Sequence, residues 1–163
     1  MSVTDPQAKR RIRRAARVML LDGAGRLLLF RFTAPGRTPF WATAGGECDP
    51  HEDFSDAARR ELFEETGIVA EPGQPIAARG NDFVTFAGEP VTADERYFRV
   101  VVEAAPLEDI WVDTSRHTEL ERAVMREHRW FSRSELAGWH EPIFPPELLD
   151  LLDREPGVLL TDA

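Results

Sequence analysis

The chain has one cysteine, Cys48, and one lysine, Lys9, in 163 residues. A single cysteine excludes an internal disulfide and any zinc site built from paired cysteines, and a reducing compartment is the simplest setting for it. The lone lysine stands against nineteen arginines, a uniform preference that no single site explains and that carries no mechanism. Long apolar runs are missing as well. The longest, VMLL at 18–21 and LLLF at 27–30, fall far short of the ~18 residues a membrane span needs. Asp22 cuts the first of them short and no small-residue cleavage site follows, so the basic start does not read as a signal peptide. The expected location is the cytoplasm, with no membrane partner.

An excess of positive charge is also lacking. The net charge is −9, and because residues 1–17 carry +5, the rest of the chain carries −14. So acidic a body makes a poor general binder of nucleic acid, and no stable nucleic-acid partner is expected. The basic run KRRIRR reads as a solvated flank, and residues 1–12 are assigned to a basic N-terminal arm ahead of one domain at 13–163. With 42% hydrophobic and 30% charged residues, the composition is that of a folded globular domain.

Ala15–Leu21 and Arg26–Phe32 are strand-length apolar segments around Asp22-Gly23-Ala24-Gly25, a hairpin signal. A Pro- and Gly-rich loop leads to FWATA and then to Gly45-Gly46. Helical patterning starts at Asp53, a cap residue, and stops at Gly67, which suits the left-handed position after a last turn, so a helix is predicted at 54–66. Further strands are predicted at Ile68–Ala70, 83–87 and 96–104, with AEPGQPIAARGND as loop or irregular strand. Towards the end come a helix near 118–126, a short strand HRWFS, a helix opening at Ser132, and a last amphipathic helix in PPELLDLLDRE. Strands interspersed with helices argue for an α+β or mixed α/β sandwich.

The segment from Gly45 to Ile68 holds eight acidic residues in 24. Glu61, Glu64 and Glu65 lie at i, i+3 and i+4, on one helix face. A merely solvated face would place basic residues three or four positions away, since each like-charge pair costs about 0.2–0.5 kcal/mol. Only Arg60 is near, and its side chain is expected to point away from the centre of the arc. Convergent carboxylates short of positive charge imply a cation, and an all-oxygen donor set selects a hard one, Mg²⁺ or Mn²⁺.

The spacing is fixed too: Gly46, five residues, Glu52, seven residues, then Arg60-Glu61-Leu62-Phe63-Glu64-Glu65-Thr66-Gly67-Ile68. This segment resembles the Nudix hydrolase signature G-x5-E-x7-R-E-U-x-E-E-x-G-U, with U a bulky aliphatic, at every specified position. Ordinary residue frequencies give such a match by chance on the order of once in ten million chains. Outside it the likeness is looser, through the hairpin lead-in, Trp41 and HRWFSRSEL.

The resemblance implies a Nudix α/β/α sandwich with a mixed β-sheet and a loop–helix–loop catalytic motif. It implies hydrolysis of the diphosphate linkage in a nucleoside diphosphate joined to another moiety. By resemblance, Glu64 and Glu65 are metal ligands, Glu61 is a ligand or the base that prepares water, and the Gly45 carbonyl is a further metal contact. Arg60 and Glu52 correspond to a structural ion pair. Some relatives recruit another acid from a distant loop. Here Glu127 and Glu121 rank first, ahead of Glu119, Glu108 and Asp113. Relatives that form dimers make a homodimer one expected state.

The chain departs from many relatives at Ala44, Asp49 and His51, none of them a specified position. His51 reads as an exposed loop residue and Cys48 as packing. The markers that ADP-ribose and dinucleoside-polyphosphate subtypes carry after the motif are absent, since that region reads VTF at 84–86. Trp41, Phe83, Phe86, Tyr97 and Trp111 are candidates for a base-stacking wall, though aromatics in strands are more often core. Two other readings are weighed. A Nudix-scaffold isomerase is disfavoured by the lack of a second cysteine and a histidine cluster, and a non-catalytic nucleotide-sensing module by the retention of all four motif glutamates.

Overall fold

The computed structural model describes residues 10–103, 112–155 and 161–162. Strand β1 (Arg11–Asp22) is its axis. Parallel to it along twelve residue pairs runs β6 (Pro90–Val102), and antiparallel to its middle runs the short β4 (Ala44–Glu47). β2 (Leu27–Phe32) meets β1 only at the hairpin end, at Leu21 and Leu27, and pairs instead with β3 (Phe40–Ala42) and β7 (Met125–Phe131). β5 (Ala77–Val84), β8 (Ile143–Phe144) and β9 (Thr161–Asp162) complete a mixed, curled sheet.

From Val18 to Leu21 β1 is apolar without interruption because both of its faces are buried there. Ala16, Val18 and Leu20 pack with Leu28 and Phe30 under helix α1 (Phe54–Thr66). Met19 and Leu21 face the opposite layer, where Trp41, Phe131 and helices α3 (Arg133–Ala137) and α4 (Leu148–Leu152) cover the sheet. Helix α2 (Glu119–Val124) leads directly into β7. The result is the expected α+β sandwich.

α1 forms for local reasons. The Asp53 carboxylate accepts from the Asp56 N–H at 2.7 Å, and Gly67, with φ +75°, donates its N–H to the Phe63 carbonyl at 2.8 Å. Ser132 caps α3 with a reciprocal Glu135 contact, as its position predicts.

Other expectations are corrected. Ile68–Ala70 forms no strand. The predicted strand at 83–87 lies earlier, as β5, because Thr85–Gly88 makes the hairpin turn, with Gly88 at φ +88° and its N–H on the Thr85 carbonyl. β5 reads AARGNDFV, a poor strand sequence, yet its pairing with β6 from Ala77–Tyr97 to Val84–Pro90 imposes extended backbone on it. Arg11 and Ile12, read as arm, already belong to β1. Glu108 and Trp111 lie outside the described residues.

Candidate active site

The buried stripe of α1 is Ala57, Ala58, Glu61, Leu62, Glu65 and Thr66. Leu62 is its one large apolar anchor, contributing about 1.5–3 kcal/mol. The same stripe carries two carboxylates inward: Glu61 is 9% exposed and Glu65 only 2%. Glu121 reaches them from α2, and ligand atoms of the three lie within 4.8 Å of one another. Burial pushes the Glu61 carboxyl up to about 7, against the opposing pull of Arg60. Burial, and then the charge of Glu61, push Glu65 well above the ordinary carboxylate range.

Glu64 is set apart from this trio. Its side chain is 41% exposed and held by Arg60 at 3.1 Å. Arg60 does not point away from the arc, contrary to expectation. Its long side chain spans the turn between helix and loop, so that Nη1 donates to Glu61 at 3.0 Å while Nε and Nη2 each donate to Glu52 at 2.9 Å. Nη2 also reaches the Glu47 carbonyl at 3.0 Å. Glu52 in turn accepts from the Asp49 N–H, so the expected Arg60–Glu52 pair ties the loop to the helix. The guanidinium holds the Glu52 carboxyl below its usual range.

The two glycines have separate reasons. Gly45, at φ +137°, donates its N–H to Glu65 at 2.9 Å and passes so close to β1 that a Cβ would lie 2.1 Å from the Ala16 carbonyl. At Gly46 a Cβ would meet the Glu61 carboxylate at 2.6 Å. The loop therefore brings backbone against both buried acids.

Of the distal acids, Glu121 joins the cluster and Glu127 does not. Glu127 lies on β7, 59% exposed, 4.0 Å from Arg31. Asp113 pairs with Arg116, and Glu119 is exposed. Glu121 is positioned by a segment that sequence reasoning missed. The Asp113 N–H donates to the Thr66 carbonyl and buried His117 Nε2 bonds the Glu65 carbonyl, each at 2.8 Å, locking residues 113–117 to the end of α1. Thr118 then caps α2 in a reciprocal contact with Glu121. The legible signal was the T-x-x-E spacing of that capping box. His51 is exposed, as expected, and the half-buried Cys48 has its thiol pushed up by burial.

The cluster opens into a cleft of about 870 Å³. Phe32, Phe40 and Phe86 form a parallel stack on its wall, with Arg37 over Phe86. Of the expected wall residues, Phe83 and Phe86 line the cleft, whereas Tyr97, at its edge and 1% exposed, belongs with Trp41 to the core. Arg13, read as part of a basic flank, and Arg17, within the predicted first strand, line it too, because period-two alternation along β1 turns them to this face.

A mixed sheet whose loop–helix–loop sinks carboxylates into a cleft defines a class of α+β proteins with an acidic site. The family model for the NUDIX domain matches residues 11–152, and the chain belongs to the Nudix hydrolase family. It is 38% identical over 79 residues to an uncharacterised Nudix hydrolase of Yersinia pestis, a match covering 45% of this chain and 41% of that protein. The matched segment thus spans about two fifths of that relative. Its fold is similar to that of a MutT protein from Methanosarcina mazei, with TM-score 0.61 and 21% identity over 88% of this chain and 92% of the other. It is also similar to a MutT Nudix hydrolase from Burkholderia pseudomallei, with TM-score 0.57 and 22% identity over 86% and 96% of the two chains.

The raised carboxyls make a prediction about stability. A carboxyl whose folded pKa exceeds its unfolded value contributes stability that is full below the unfolded pKa and lost as pH rises through the folded one. In EDTA, the Glu61 shift alone therefore removes on the order of 3 kcal/mol between pH 4.5 and a little above 7, several degrees in Tm. His128, held below its ordinary value by burial, works in the opposite direction over part of this range. Thermal melts from pH 5 to 8 should show Tm falling in the wild type relative to a Glu61→Gln, Glu65→Gln double variant, which retains His128. A constant difference between the two would contradict the assignment.

Proposed function

We propose that the chain is a divalent-metal-dependent pyrophosphohydrolase acting on a nucleoside diphosphate linked to another moiety. The observation that carries this reading is the convergence of Glu61, Glu65 and Glu121 within 4.8 Å on a cleft large enough for a nucleotide. Their donor set fits Mg²⁺ or Mn²⁺: three hard oxygens, two of them buried, with Arg60 as the near basic partner. Glu64 and Gly45 line the same cleft, and family membership suggests that Glu64 and the Gly45 carbonyl would complete the ligand set. When bound, such a cation supplies neutralisation of the phosphoryl oxygens and acidification of water.

The chain's own groups do the rest. Glu61, a ligand or the base by family membership, would take the proton of attacking water through an oxygen that holds no cation. Gly45 N–H donates to one Glu65 oxygen and so orients that carboxylate. The Arg60–Glu52 pair keeps loop and helix in register.

The test is a panel of nucleoside triphosphates, ADP-ribose, dinucleoside polyphosphates, nucleotide sugars and coenzyme A with Mg²⁺ or Mn²⁺, scored for phosphorylated product. At least one should turn over, and Glu64→Gln should lower that rate by about 10²-fold or more. Undiminished activity in Glu64→Gln rejects the catalytic reading, and tight binding without turnover favours a sensing module.

A further inference from the structure

Buried polar atoms in folded proteins almost always have a partner, so those without one point to what is still to be bound. Among the described residues four buried side-chain atoms lack a partner: Arg13 Nη1, Arg79 Nη1, Asn81 Oδ1 and Trp139 Nε1. Three of the four lie on one patch of the sheet. β1, β6 and β5 are adjacent strands, and both Arg13 and Asn81 have Ala93 of β6 as their register partner. Directly paired residues project to the same face, so Arg13, Ala93 and Asn81 form a row with only a methyl group at its centre. Arg79 and Glu95 stand in a neighbouring row.

The flanking charges are already matched. Arg17 donates to the buried Glu95 at 2.7 Å, Arg79 to Glu147 at 2.6 Å, and Arg11 pairs with both Glu47 and Glu89. Among the described residues Arg13 pairs only with Glu47, at 4.0 Å, and burial lowers its affinity for its proton. Arg13 and Asn81 both line the cleft that holds Glu61, Glu65 and Glu121. Two residues that line the cleft thus carry a buried donor, Arg13 Nη1, and a buried acceptor, Asn81 Oδ1, that are still without partners. The ring of Phe83 lies 5.8 Å from the Arg13 guanidinium, and the three-phenylalanine stack lines the same space.

We infer that Arg13 and Asn81 are specificity-determining residues that read the lactam edge of a keto nucleobase, the adjacent C=O and N–H found in guanine and uracil. The carbonyl oxygen accepts from Arg13 Nη1 and the ring N–H donates to Asn81 Oδ1, which satisfies both atoms at once. Arginine only donates, and it favours the strong carbonyl acceptor over a ring nitrogen flanked by an amino group. A flat ring suits the aromatic wall better than a sugar hydroxyl would. Adenine and cytosine present an amino group where the carbonyl stands, and so set a donor against the Arg13 donor.

This inference rests on the nucleotide reading above, but its test needs no turnover. Dissociation constants are measured by calorimetry for GMP, UMP, AMP and CMP with Mg²⁺, on wild type, Asn81→Leu and Arg13→Met, with thermal melts confirming that each variant folds. GMP and UMP should bind at least about tenfold more tightly than AMP and CMP, the equivalent of one well-made hydrogen-bonded pair. Asn81→Leu should weaken GMP and UMP by about tenfold and leave AMP and CMP within about twofold, flattening the preference. If all four weaken equally in both variants, the row serves the fold or the phosphate, and the inference is overturned. Equal binding of the four bases by wild type, or no binding, overturns it as well. Failure of hydrolysis in the panel above would leave this base preference measurable, so the two proposals fail separately.

Discussion

Replacing Glu65 by glutamine is expected to lower kcat by on the order of 10³ and, in EDTA at pH 8, to raise the thermal midpoint. The two effects have one cause. Glu65 is 2% exposed, faces Glu61 and Glu121, and is pushed well above the normal carboxylate range. Ionising it without a cation costs stability, and glutamine removes that cost while its amide oxygen can still accept from Gly45 N–H. Function and stability are opposed at this residue, as they are wherever a fold holds like charges together for a ligand. Added Mg²⁺ should stabilise the wild type more than the variant, through linkage to the folded state. A variant that loses both activity and stability in EDTA would mark Glu65 as a structural residue instead.

Gly45→Ala should be the most damaging single change for folding, and Gly46→Ala a contrasting one. At Gly45 the new Cβ meets fixed backbone, 2.1 Å from the Ala16 carbonyl and 2.8 Å from Arg17 Cα, at φ +137°. Dihedral strain and overpacking together cost about 2–6 kcal/mol, a large part of the roughly 5–15 kcal/mol that holds a domain. At Gly46 the obstacle is the end of the Glu61 side chain, which can move. That protein should fold, with a urea midpoint near wild type, and lose hydrolysis because Glu61 is displaced from its partners. Urea denaturation of the two variants side by side distinguishes them. Comparable destabilisation of both would refute the separate roles.

Helix α1 and its chemistry are legible in the sequence because everything that makes them is local. Asp53 and Gly67 cap the helix through contacts within four residues, and the spacing of Glu61 and Glu65 puts both on one stripe. The Glu52–Arg60 pair also closes within eight residues. β5 is not legible, since AARGNDFV becomes a strand only by pairing with β6.

The sequence by itself determined the family, the sandwich class and the carboxylates of one helix. Only the tertiary structure decided between Glu121 and Glu127, which flank the α2–β7 junction six residues apart. His117 and Thr118 turn the first towards Glu65, while strand pairing with β2 sets the second beside Arg31. It also separated Glu64 from its helix neighbours and brought Arg13 to Asn81 across 68 residues of chain. A helix is built from contacts three and four residues apart, so its sequence contains it. A sheet row is assembled from strands distant in the chain, and no local pattern records which residues will face each other across it.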